Sequence, residues 1–85
     1  MGPFMDFNWL YSFIKVAERG SITKAAGDLY LTQQAVSKQM LLVEELNLNL
    51  FNRSHNAIVL TRDGETLVGN VGPFLENIQE SLSQL

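Results

Sequence analysis

Two helix starts, Ser21 and Thr32, stand eleven residues apart in the segment S-I-T-K-A-A-G-D-L-Y-L-T-Q-Q-A-V-S-K-Q-M at residues 21–40. Ser21 can cap a short helix that turns Ala25, Ala26 and Leu29 inward, and Thr32 can cap a second that turns Gln33, Gln34, Ser37 and Lys38 outward. That spacing fits a helix-turn-helix, whose second helix needs a polar outward side if it is to read base edges. On spacing alone, a solvated helix face explains the same pattern.

The remaining elements can be placed around this pair. Asp6 or Asn8 can start a helix reaching about Arg19, with Phe7, Leu10, Phe13, Ile14 and Ala17 at the three-and-four spacing of one buried face and Gly20 as its end. After the second helix, Tyr30 and Leu31 form the turn, with Leu31 expected in the core. The third helix runs from Thr32 to about Leu46, with Val36, Met40, Val43 and Leu46 inward and Asn47 as a left-handed stop. Residues 50–60, L-F-N-R-S-H-N-A-I-V-L, read as two short extended pieces about a polar tip at Ser54–Ala57, a wing. Thr61 can then cap a last helix, with Asp63 and Glu65 in its first turn. Leu67, Val71, Phe74, Ile78, Leu82 and Leu85 recur along it as one apolar stripe. Such a stripe exceeds what a small domain covers, so it is expected to pair with a second copy, the alternative being a fold back on its own domain. Gly69 and Gly72-Pro73 predict a kink near Val68–Gly72 and leave a full break open.

The fold class is therefore mainly α: a winged helix-turn-helix over residues 1–61, made of three helices and a short β-hairpin, then a linker helix over 62–85. An 85-residue chain makes one small domain that buries about 60% of its unfolded surface, so association would add useful burial. Met5 is the expected native start, with Met1–Phe4 left from cloning, because Gly2-Pro3 before a second Met has no evident structural purpose. No Cys is present, which excludes disulfides, thiolate metal sites and cysteine nucleophiles. No apolar run approaches the roughly 20 residues of a membrane span, and the start lacks the blocks of a signal peptide, so a cytoplasmic location is the default expectation. The formal charge of −3 opposes nucleic-acid binding only until it is placed along the chain. Residues 63–85 hold four carboxylates and no Lys or Arg, which leaves +1 for residues 1–62.

Taken in order, these blocks resemble the DNA-binding domain and linker helix of LysR-type transcriptional regulators. The likeness covers about residues 5–85 and is carried by F-I-K-V-A-E-R-G-S-I-T-K-A-A at 13–26, L-T-Q-Q-A-V-S-K-Q-M at 31–40, E-E-L at 44–46, L-F-N-R at 50–53 and L-T-R-D-G-E at 60–65. It implies a third helix in the major groove of double-stranded DNA, a wing at the neighbouring minor groove, and a homodimer through the linker helix on a partly inverted-repeat site. By position, Gln33, Gln34, Ser37 and Lys38 fall where the family contacts bases: the two Gln suit adenine, Ser can donate or accept, and Lys suits guanine acceptors or a phosphate. Ser21, Thr23, Thr32, Arg53 and Asn56 are the implied backbone contacts. The expected dimer interface is Leu67, Val71, Phe74, Ile78 and Leu82 of the stripe together with Trp9. Trp9 and Tyr11 lie off the main buried face of the first helix, and surface aromatics suit contact with a partner's linker helix, the alternative being an ordinary packed aromatic. Members usually continue into a ligand-sensing domain, so the chain is read as cut after the linker helix or as a natural short form, and an inducer enters only with a sensor outside it.

Several positions depart from the pattern. Gln34 stands where members commonly have Pro, which gains a base-reading amide and loses a preset first turn. Leu41 and Leu42 stand where polar or basic residues are frequent, and Asn56 and Val59 lie in a wing that often carries Arg, so electrostatic grip is reduced. His55, the single histidine, has no Cys or second His to share a metal. No catalytic set, cofactor or metal is expected, and the rival reading is a winged-helix protein-interaction module without DNA binding.

Overall fold

Asp6 begins the first helix by accepting the Trp9 backbone N–H on its carboxylate at 2.9 Å, which satisfies one of the donors every helix start leaves open. The computed structural model describes residues 6–45, 48–54 and 57–85, without the side chains at 43–45, 53, 54 and 57. Helix α1 (Phe7–Arg19) ends at Gly20, whose φ of +63° favours glycine and lets its N–H close on the Val16 carbonyl at 2.9 Å. Helix α2 (Ile22–Leu29) starts where Ser21 Oγ accepts the Lys24 N–H at 3.2 Å. Ala25 and Ala26 are buried in it, and their small side chains let α2 lie close against its neighbours. It ends on Tyr30 in the left-handed region at φ 56°, with the Leu31 N–H reaching the Ala26 carbonyl at 3.0 Å and the Tyr30 N–H the Gly27 carbonyl at 3.3 Å.

Helix α3 (Gln33–Glu45) is capped by Thr32, whose Oγ1 accepts the Ala35 N–H at 3.1 Å, and it buries Val36 and Met40. The antiparallel hairpin of β1 (Phe51–Ser54) and β2 (Ala57–Leu60) pairs Phe51 with Leu60, Asn52 with Val59, Arg53 with Ile58 and Ser54 with Ala57. Phe51, Ile58 and Leu60 pack against the core, while Asn52 and Val59 face out, the alternation of a strand with one covered side. The Ile58 N–H bonds the Gly20 carbonyl at 3.2 Å and ties the hairpin to the end of α1.

Helix α4 (Arg62–Ser83) is capped by Thr61, whose Oγ1 accepts the Gly64 N–H at 3.1 Å and donates to the Asn49 carbonyl at 2.6 Å. It is continuous through Gly69, Gly72 and Pro73, so the break left open by the sequence does not occur. Pro73 withholds one donor, and both it and Gly69, whose carbonyl lies four residues back, are exposed to water that can satisfy that carbonyl.

Three expectations are corrected. Trp9 is not an interface residue: it is 2% exposed, lies stacked on Phe13 with ring centroids 5.4 Å apart, and donates its indole N–H to the Gln39 carbonyl at 2.7 Å. An indole buried on one helix needs an acceptor from another, and α3 supplies it. Phe7 is 56% exposed rather than core, because α1 is covered from two sides and its inner residues are Trp9, Leu10, Phe13 and Val16. Leu31 is 42% exposed, since the left-handed turn at Tyr30 carries the chain outward and Leu29 takes the place against the core. The expected inward Leu46, the stop at Asn47 and the side chain of Val43 lie outside the described residues.

Candidate nucleic-acid interface

With Val36 and Met40 buried on α3, the 100° step of an α-helix turns Gln34, Ser37, Lys38 and Leu41 to the opposite side. Gln34 and Lys38 are exposed and Ser37 is half-buried on that side, while Gln33, in the row of buried Met40, is exposed because it opens the first turn. All four expected base-contacting residues are therefore accessible, but Gln33 stands off the outward face. They offer two amides, a hydroxyl and an ammonium, a set that can both donate to and accept from base edges.

Beside this face stand the two cap hydroxyls. Ser21 and Thr32 each use an oxygen lone pair on a helix N–H and keep the hydroxyl proton for an outside acceptor, and a phosphate oxygen is only an acceptor. Thr23 is exposed in the first turn of α2. Asp28 is drawn to Arg19 at 3.2 Å, whereas Lys24 and Lys38 make no ion pair among the described residues, so the cations flanking the cap hydroxyls remain available to an anion. Arg53 is placed by its backbone in β1 opposite Ile58, but its side chain, like all of Asn56 and His55, lies outside the described residues.

Helix α4 divides its stripe in two. Leu67 and Val71, with Val68, pack against the domain's own core. Farther along, Phe74 is 51% and Leu82 64% exposed, while Ile78 is half-buried at a hollow of about 240 Å³ that it shares with Phe7, Tyr11 and Leu75. Phe74 stacks on Phe7 at 6.1 Å between ring centroids, a contact the sequence pattern missed because it placed Phe7 in the core. Tyr30, expected in the turn, is exposed there, turned out by its left-handed backbone. Among the described residues, no group of three or more His, Cys, Asp or Glu could hold a metal, and no helix is long and apolar enough to cross a membrane.

Residues 7–65 match the family described as bacterial regulatory helix-turn-helix protein, lysR family. The chain belongs to that family. It is 49% identical over 61 residues to the uncharacterized HTH-type transcriptional regulator YxjO of Bacillus subtilis, covering 71% of this chain and 21% of that one. With the HTH-type transcriptional regulator MetR of Haemophilus influenzae it shares 41% identity over 66 residues, 76% of this chain and 21% of MetR. The chain thus spans about a fifth of the length of these relatives. Its fold is similar to that of the BenM DNA-binding domain crystallised with catB site 1 DNA, with a TM-score of 0.83, 31% identity, and coverage of 94% of this chain and 90% of that one.

Proposed function

We propose that this chain is the DNA-binding part of a LysR-type transcriptional regulator that acts on double-stranded DNA as a homodimer in the cytoplasm. The observation that carries the reading is the outward face of α3, where Gln34, Ser37 and Lys38 stand together, with Gln33 exposed at the first turn, beside the cap hydroxyls of Thr32 and Ser21. Residues 1–61 would hold the reading unit and 62–85 the pairing helix. Gln33, Gln34, Ser37 and Lys38 contact base edges in the major groove, and Ser21, Thr23, Thr32, Arg53 and Asn56 contact the backbone and set register. Two domains joined through α4 present two α3 helices to a partly inverted-repeat operator. The likeness to BenM DBD, which was crystallised on DNA, and the exposed Phe74 and Leu82 support this arrangement. No catalytic role is assigned, in keeping with relatives named as regulators. A small-molecule inducer would act only through a sensor domain outside this chain.

The rival reading, a protein-interaction module, draws on Leu41, which is 47% exposed. A salt titration of binding to promoter-length duplex separates the two. If Lys24, Lys38 and Arg53 of each domain neutralise about one phosphate apiece, the dimer's affinity should fall with a log–log slope of about −5, since each neutralised phosphate contributes about 0.9. Binding that is absent or indifferent to salt rejects the DNA reading.

A further inference from the structure

Leu41 stands in the same row of α3 as Gln34: seven residues separate them, so they differ by only about 20° around the helix axis and lie about 10 Å apart along it. It is 47% exposed, and the residues one turn back on that side are the polar Ser37 and Lys38. Its neighbour Leu42 packs against the core, so among the described side chains of α3 Leu41 is the single exposed large apolar group, set on an otherwise polar face. A protein partner fits this poorly, because a stable interface needs a contiguous surface of several hundred Å² on each side.

A helix laid along the major groove with Gln34 over one base pair brings the next-but-one turn over base edges roughly two to three pairs farther on. Leu41 can neither donate nor accept a hydrogen bond there. The apolar feature that the four bases show in that groove is the thymine 5-methyl. We infer that Leu41 is a specificity residue that packs on a thymine methyl about two to three base pairs from the contact of Gln34. The inference rests on the DNA reading above and adds to it the chemical class of one base in each half-site.

The test begins with duplexes selected from a random pool by the 85-residue chain. Each thymine of an enriched site is then replaced by uracil, which removes the methyl and leaves every hydrogen-bonding group in place. At one thymine per half-site the wild-type chain should lose about fourfold in affinity, the worth of one buried methyl, while Leu41→Ala binds the thymine and uracil duplexes alike. Leu41→Lys should also lose the thymine preference, and in addition bind all duplexes with a steeper salt dependence. Because Leu41 is half exposed, both variants should keep wild-type helicity by circular dichroism. Enriched sites at which uracil changes nothing, or changes wild type and Leu41→Ala equally, overturn the thymine contact and leave DNA binding standing. A selection that enriches no duplex overturns the DNA reading itself, and this inference with it.

Discussion

A methyl group at Gly64 would overlap the Leu50 carbonyl oxygen and crowd Leu60, so the first turn of α4 meets the loop before the hairpin only because this residue has no side chain. Gly64→Ala should therefore lower stability by about 2–3 kcal/mol in urea unfolding, an overpacking effect against backbone that cannot step aside. An unchanged midpoint would mean that α4 and the loop can part to admit a methyl group. Trp9 makes a complementary case. Trp9→Phe leaves a cavity and removes the indole N–H bonded to Gln39, so it should lose about 2–3 kcal/mol of stability and leave self-association unchanged in sedimentation. Dissociation without destabilisation would restore Trp9 to the interface. The sequence pattern misplaced this residue because hydrophobic spacing finds one face per helix, and α1 is covered by α3 on one side and α4 on another.

At the scale of elements, the helix starts were legible because each is written in one residue type whose side chain must bond a backbone N–H. Asp6, Ser21, Thr32 and Thr61 all cap as their chemistry requires. Gly20 as a left-handed stop and the two strands of the wing were legible for similar reasons. The end of α2 at Leu29 and the turn at Tyr30 were legible too, but the left-handed backbone of Tyr30 was not, since the residue carries none of its signals, and Leu31 was placed in the core by hydrophobicity alone. Tyr30 is 95% exposed and gains little from packing, so Tyr30→Gly should relieve the left-handed strain and raise stability by about 1 kcal/mol in thermal unfolding. A loss of stability would mean that the ring contributes more than the strain costs. Helix α4 survives Pro73 for a reason outside local propensity: Leu67, Val68 and Val71 anchor its first half to the core ahead of the proline.

For the molecule as a whole, the 22 residues of α4 make a rod of about 33 Å, and its second half keeps apolar side chains in water. Pairing of these rods would cover Phe74, Ile78 and Leu82 and would set two α3 helices at a fixed separation. Leu82→Glu should therefore shift the chain toward monomer at micromolar concentration in light scattering, and should weaken binding to a two-half-site duplex more than to a single half-site. A wild-type chain that scatters as a clean monomer would reject the pairing. The acidic charge of residues 63–85 lies on this rod, away from the sequence of α2 and α3, which is why the net charge of −3 was a poor guide to what the reading unit can bind.

The central claim is that the outward side of α3 reads base edges, and the most direct measurement compares the sites selected from random duplex by wild type and by Gln34→Ala. The account predicts an enriched, partly inverted-repeat site for wild type, and for Gln34→Ala a loss of about 1–3 kcal/mol with relaxed preference at one position per half-site, the others being kept. Selected sites identical for both chains, or a uniform loss on every sequence, would contradict it.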